Sequence, residues 1–195
     1  MKCISKKPLL YKTKADAKTK KVIQSYMVPM LISNWQDNKP WLIDNTKGNN
    51  LHVQPNNEVA QNNCDLIYNF FVKQVSKVLK SFTMASDNSK DLWVYTSDKN
   101  LTKTYWHNHS HSSSVNGVFY FKCVKDKGIY FREDNNTIYI EPKVNDLYIF
   151  PGHIDHLPVS SNTDEIRISC NVELKCNESI DTLFNTNNLR TIKRN

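Results

Sequence analysis

No apolar run in this sequence approaches the roughly 18–20 residues that a membrane-spanning helix needs. The opening residues, Met1 to Lys21, carry charges without an apolar stretch, so no secretory signal is expected. Cysteine is sparse and scattered: Cys3, Cys64, Cys123, Cys170 and Cys176 are odd in number and form no CxxC pair. That excludes a zinc ribbon or a disulfide framework and points to a reduced, intracellular setting, here the cytoplasm. No internal repeat or low-complexity linker divides the chain. Its 195 residues suffice for one buried core, so a single domain over residues 1–195 is expected.

Positive charge is what the chain has in excess, with a net +7. Much of it lies in Lys2, Lys6, Lys7, Lys12, Lys14, Lys18, Lys20 and Lys21, opposed locally by Asp16 alone. Such an arm suits a polyanion. Aromatic residues are not interleaved with these lysines as a base-stacking platform requires. The lysines therefore read as solvated surface, and neither a nucleic acid nor a membrane is expected as partner.

Between Asn57 and Met84, the residues Ile67, Phe70, Phe71, Val75, Val78, Leu79 and Phe82 recur at three- and four-residue spacing. The spacing predicts an amphipathic helix covering one face of a sheet. Before it, Leu9 to Tyr11 reads as one early strand, and Tyr26 to Val53 as short helices and loops. After it the pattern turns to β: residues 92–97, 117–124, 128–132, 137–141, 146–150 and 165–174 are short β-branched and aromatic runs separated by turn residues. The fold class is mainly β, a sandwich or barrel. A support region over 1–91, a core over 92–175 and a tail over 176–195 follow. The tail is expected to be a surface segment or short helix.

Histidine is scarce, with six residues, yet three fall in "YWHNHSHSSSVNGVFYF" as His107, His109 and His111. Two more, His153 and His156, lie in "FPGHIDH". In an extended strand, residues i, i+2 and i+4 share a face, so the first three would project together. Two imidazoles from one strand and a third from a distant one suit iron, zinc, copper or nickel. In "EIRISCNVEL", Arg167, Ser169 and Asn171 share one face and Ile168, Cys170 and Val172 the other. An arginine fork beside a serine suits one end of a dicarboxylic acid.

An HxH followed by "NGVFYF", then "NDLYIFPGHIDH", then an arginine eleven residues after His156 followed by "ISCN", resembles the 2-oxoglutarate/Fe(II)-dependent oxygenases. Within them it is similar to the prolyl-hydroxylase-like group of marine bacteria and their phages. The likeness spans roughly residues 92–175. It implies a double-stranded β-helix (jelly roll) with the N-terminal amphipathic helix packed outside the sheet. It also implies Fe(II) at the open mouth, with 2-oxoglutarate and oxygen as co-reactants. His109, His111 and His156 become the metal ligands and catalytic residues, with His107 as the substitute for either of the first two. Arg167, Ser169 and Asn171 become the residues that bind 2-oxoglutarate. The implied reaction is hydroxylation of a C–H bond in a peptidyl side chain, such as proline, or in a small metabolite. A phage-encoded copy would act in the host cytoplasm.

Two departures stand out. No Asp or Glu lies two residues after His107 or His109, where the family carries a carboxylate ligand. Asn145 replaces the usual glycine before "DLYIF", a mild change because asparagine tolerates a left-handed turn. A cupin-like metal-binding protein or dioxygenase independent of 2-oxoglutarate is one alternative. Its first motif needs a glutamate soon after HxH, where Ser112, Ser113 and Ser114 stand. A non-enzymatic β-sandwich, structural or nucleic-acid-associated, is the other, and it requires Arg167 to be exposed.

Overall fold

The computed structural model describes residues 1–36, 50–53, 58–88, 92–98, 105–159 and 163–190. The apolar stripe forms a helix over Glu58–Val75, with Ile67, Tyr68, Phe71 and Val75 all buried. Two shorter helices, α1 (Ala17–Val22) and α2 (Val28–Gln36), precede it, so it is α3. They are joined by a π-helical turn, Ile23–Met27. The helix stops short of the expected Met84 because its last turn tightens. Lys77 and Val78 donate to Gln74 and Val75, three residues back, rather than four. The chain then pairs with its own C-terminal segment: Leu79 bridges Leu189, and Lys80 N donates to Asn188 O at 2.7 Å. Val78 and Leu79 stay buried, so their apolar spacing reflects packing outside a helix. The C-terminal segment includes the short helix α4 (Ile180–Leu183), capped by Ser179.

Ten strands are present among the described residues: β1 (Lys2–Lys6), β2 (Leu9–Lys14), β3 (Asn50–Val53), β4 (Leu92–Ser97), β5 (Val115–Lys122), β6 (Ile129–Glu133), β7 (Asn136–Ile140), β8 (Asp146–Pro151), β9 (Asp155–Pro158) and β10 (Arg167–Leu174). They form two antiparallel sheets, a seven-stranded one ordered β1-β2-β8-β5-β10-β4-β3 and a three-stranded one ordered β7-β6-β9. The region before residue 92 supplies β1, β2 and β3, and the early strand read at Leu9 to Tyr11 falls within β2. Lys2 and Lys6 lie on the edge strand β1 and are exposed, where charge discourages edge-to-edge pairing. Lys12 reaches from β2 to the buried Asp146 at 2.7 Å and fastens the N-terminal hairpin to β8.

Alternation along the strands of the large sheet makes two cores. Ile168, Cys170, Val172 and Leu174 of β10, Phe119 of β5 and Leu147 of β8 join α3 in one. Val118, Tyr120, Tyr148 and Phe150 join Ile129 and Phe131 of the small sheet in the other. The helix thus lies on the face of the large sheet turned away from the small one. Its approach is close at Gly117, where a Cβ would stand 2.6 Å from the Phe71 ring. Burying Phe71 fully contributes about 1.5–3 kcal/mol.

Candidate metal centre

His107 stands beside β9 as a single bridge residue. His107 N donates to His156 O at 3.1 Å, and His156 N donates to His107 O at 2.8 Å. That pairing sets the two rings side by side, their centroids 4.2 Å apart. The opposite face of the same segment is clamped. Asn108 Nδ2 and Arg132 Nη2 donate to the two oxygens of Asp155 at 2.9 and 2.8 Å, and the Arg132 guanidinium lies 4.2 Å from the Trp106 ring centroid. These bonds hold the Asp155 carboxyl below the ordinary carboxylate range, Arg132 contributing most. Registry between the HxH segment and β9 is therefore fixed by both main chain and side chains.

The extended run ends at His109. Its N–H donates to Gly152 O at 2.9 Å, and the chain then turns, Ser113 N donating back to His109 O at 2.8 Å. Asn108 Oδ1 accepts from the Ser110 hydroxyl at 3.0 Å, an Asx-type closure favoured by the Asn and Ser residues here. A Cβ on Gly152 would sit 2.2 Å from Ser113 O, so the turn packs against a glycine that nothing larger can replace. Alternation is broken before residue 111. His111 is consequently exposed in the turn and outside the cluster; of the expected set of His109, His111 and His156, the structure groups His109 and His156 with His107, the substitute named for His111.

The structure instead brings together His107, His109 and His156, one ring nitrogen of each lying within 4.8 Å of the others. Each Nδ1 already has an acceptor. Tyr105 O lies 3.0 Å from that of His107, Glu173 Oε1 2.7 Å from that of His109, and Ile154 O 3.2 Å from that of His156. Nδ1 then carries the proton, and the lone pair sits on Nε2 in all three rings. Burial pushes the His156 imidazole down to about 3, and the neighbouring His107 and His109 add to this. Burial likewise lowers His107. Three neutral nitrogen donors converging in this way fit a divalent transition metal of borderline softness.

Arg167 opens β10 and is 1% exposed, between the two sheets. Its Nη1 donates to Val159 O at 2.8 Å and lies 3.4 Å from Lys127 O and Gly128 O. The exposed arginine that a non-enzymatic sandwich requires is absent. Ser169 is buried and Asn171 half-buried on the same side of β10. Tyr120 pairs in register with Ser169 from β5 and is also buried. Burial raises its phenol pKa, and the nearby Arg167 charge acts in the opposite direction. The inner face of β10 therefore runs from a cation at Arg167 to a carboxylate at Glu173, with the histidines at the Glu173 end.

Outside this centre, an open groove of about 470 Å³ is lined by Ser110, His111, Ser114, His153, Lys175 and Asp181 among others. His111 and His153 belong to this groove. His153 Nε2 lies 3.4 Å from Glu133 Oε1. Trp106 packs on Arg132, on the side of its segment away from His107. The side chains of Trp93 and Tyr95 lie outside the described residues. Sequence reasoning missed Glu173, although strand parity places it on the face of Arg167, Ser169 and Asn171. It also missed the Asn108–Asp155–Arg132 clamp, which no spacing in the chain announces.

No family model and no curated protein matches the sequence. Solved structures do share its fold. A prolyl-4-hydroxylase from Pseudomonas putida superposes with a TM-score of 0.61 at 9% identity, covering 87% of this chain and 94% of that one. A prolyl hydroxylase from Trichoplax adhaerens, in complex with a hypoxia inducible factor peptide fragment, gives 0.59 at 9%, covering 85% and 83%. A viral collagen prolyl hydroxylase from Paramecium Bursaria Chlorella virus-1 gives 0.54 at 13%, covering 87% and 90%. At such identities the likeness establishes the fold, a mainly antiparallel two-sheet structure. No helix of the described residues is long and apolar enough to cross a membrane.

Proposed function

We propose that this chain is a 2-oxoglutarate- and Fe(II)-dependent oxygenase that hydroxylates a C–H bond of a peptidyl side chain or small molecule. The observation that carries the reading is the convergence of three imidazoles whose Nδ1 atoms are all occupied by acceptors. In this reading the two sheets close as a double-stranded β-helix, and His107, His109 and His156 hold Fe(II) between them. The ligand set departs from the expected one only in replacing His111 by His107.

When bound, the metal supplies open coordination positions for 2-oxoglutarate and oxygen, coupling decarboxylation of the first to oxidation of substrate. The protein's share is binding and orientation. Arg167, buried between the sheets and bonded to Val159 O, would face the distal carboxylate of 2-oxoglutarate as a cation, with Ser169 and Tyr120 beside it. Asn171 lies between Arg167 and Glu173 along the same face of β10. The aromatic residues Phe131 and Phe150 pack on the His156 ring and exclude water from its buried side. Proline in a peptide is the substrate class suggested by the solved structures of similar fold.

Anaerobic titration with Fe(II), then 2-oxoglutarate, tests the reading. A 2-oxoglutarate-dependent charge-transfer band and succinate formation in air are expected. Metal binding with no response to 2-oxoglutarate would favour the cupin-like alternative. Absence of metal binding would leave a structural protein.

A further inference from the structure

Among the described residues, Glu173 is bonded to the cluster, its Oε1 2.7 Å from His109 Nδ1. It lies near the end of β10, where strand alternation puts it on the inner face with Arg167, Ser169 and Asn171. His107 and His156 are oriented differently, by the main-chain carbonyls of Tyr105 and Ile154. A carbonyl fixes a tautomer but carries no net charge. Three neutral imidazoles would leave the charge of a divalent ion uncompensated, whereas facial sites in oxygenases of non-haem iron use a carboxylate as one ligand. A carboxylate on the outer nitrogen of a ligating histidine increases the basicity of the inner one.

We propose that Glu173 is a positioning residue that makes His109 an electron-rich, charge-compensated donor, replacing at one remove the carboxylate ligand that the HxH motif lacks. The inference rests on the reading of the cluster as a metal centre. The Glu173–His109 pair delivers negative charge through the imidazole, while the ion keeps three nitrogen donors. It also ties β10, which carries Arg167, directly to the HxH segment. One strand then sets both the charge at the metal and the position of the cation further along the same face.

The test uses the full chain and two substitutions, Glu173→Gln and His109→Asp, alone and combined. Glutamine keeps an acceptor near Nδ1 but removes the charge. Two quantities are read: Co(II) affinity by visible absorption, and the midpoint potential of the iron-loaded protein. Glu173→Gln is expected to weaken Co(II) binding about 10- to 100-fold and to raise the Fe(III)/Fe(II) potential. In the His109→Asp background, which supplies a carboxylate directly, Glu173→Gln is expected to leave affinity unchanged or to improve it. That non-additivity identifies His109 as the route of the effect. Wild-type affinity and potential in Glu173→Gln would overturn the proposal while leaving the metal centre intact. So would equal losses in both backgrounds. A wild-type protein that binds neither Co(II) nor Fe(II) would overturn the proposal together with the proposed function.

Discussion

His107 and His156 exchange both of their main-chain hydrogen bonds, and so two residues nearly fifty positions apart present their rings side by side. The pairing selects His107 over His111 as the partner of His109. Replacing His107 with alanine is expected to abolish tight Co(II) or Fe(II) binding. His111→Ala, in the exposed turn, is expected to change metal affinity by less than about twofold. Isothermal titration of the two variants checks this. Equal losses in both would return His111 to the ligand set and reject the pairing argument.

The protonation behaviour of the cluster gives a second expectation. Burial, then the charges of His107 and His109, lowers His156 to about 3 from an ordinary histidine value of roughly 6.5. The unfolded chain therefore binds more protons than the folded one between those values. Stability of the metal-free protein must rise with pH across that window and fall as pH drops through it. A shift of this size corresponds to on the order of 5 kcal/mol. His107 is shifted the same way by burial and adds to the effect. Urea unfolding of metal-free protein between pH 7.5 and 4 checks it, about pH 4 being the informative end. A flat profile would mean that the rings are not buried as neutral groups.

How much of this was readable beforehand differs from element to element. Strand β4 coincides with the run read at 92–97, because β-branched and aromatic residues bounded by polar ones leave little choice of ends. Asn145 adopts the left-handed conformation expected of it, with φ at 69°, and its side-chain carbonyl accepts from Gln24 at 3.2 Å. His111 leaves the shared face because the period of two holds only while the backbone stays extended. The Asn and Ser residues that close the turn compete with strand geometry, and that competition sets where the extended run ends. Glu173 was legible by parity alone. What the sequence could not show is that this face of β10 meets His109, since that depends on how the two sheets come together.

Packing of the helix on the sheet gives a third expectation. Gly117 lies under Phe71, with Leu147 Cδ1 also only 3.2 Å from the position a Cβ would take. Gly117→Ala must displace a fully buried ring rather than fill a gap. A loss of about 1–3 kcal/mol in unfolding free energy is expected. The pairs Phe71→Leu and Gly117→Ala should compensate in part, since the leucine vacates ring volume. Thermal melts of the single and double variants measure it. Additive losses would show that the two side chains do not compete for one space.

Arg167 separates an oxygenase from other metal-binding sandwiches, and its surroundings shape what its removal does. The guanidinium is bonded to Val159 O, so Arg167→Ala removes a tie between β10 and the residue following β9 as well as a cation. Some loss of thermal stability is expected whatever the ligand. The diagnostic quantity is 2-oxoglutarate affinity, measured on Fe(II)-loaded protein that is still folded. A buried, charge-assisted and bidentate contact is worth about 2–5 kcal/mol, so affinity should fall by roughly 30- to several-thousand-fold. Metal affinity should change little, because His107, His109 and His156 keep their own acceptors. Arg167→Lys restores the charge but not the planar fork, so it is expected to recover only part of the affinity. It is also expected to recover little of the stability, because an ammonium cannot reach Val159 O and a ligand carboxylate together in the same geometry. Unchanged 2-oxoglutarate affinity in Arg167→Ala, with metal binding lost in His156→Ala, would leave a metal-binding protein whose arginine serves only to join its sheets.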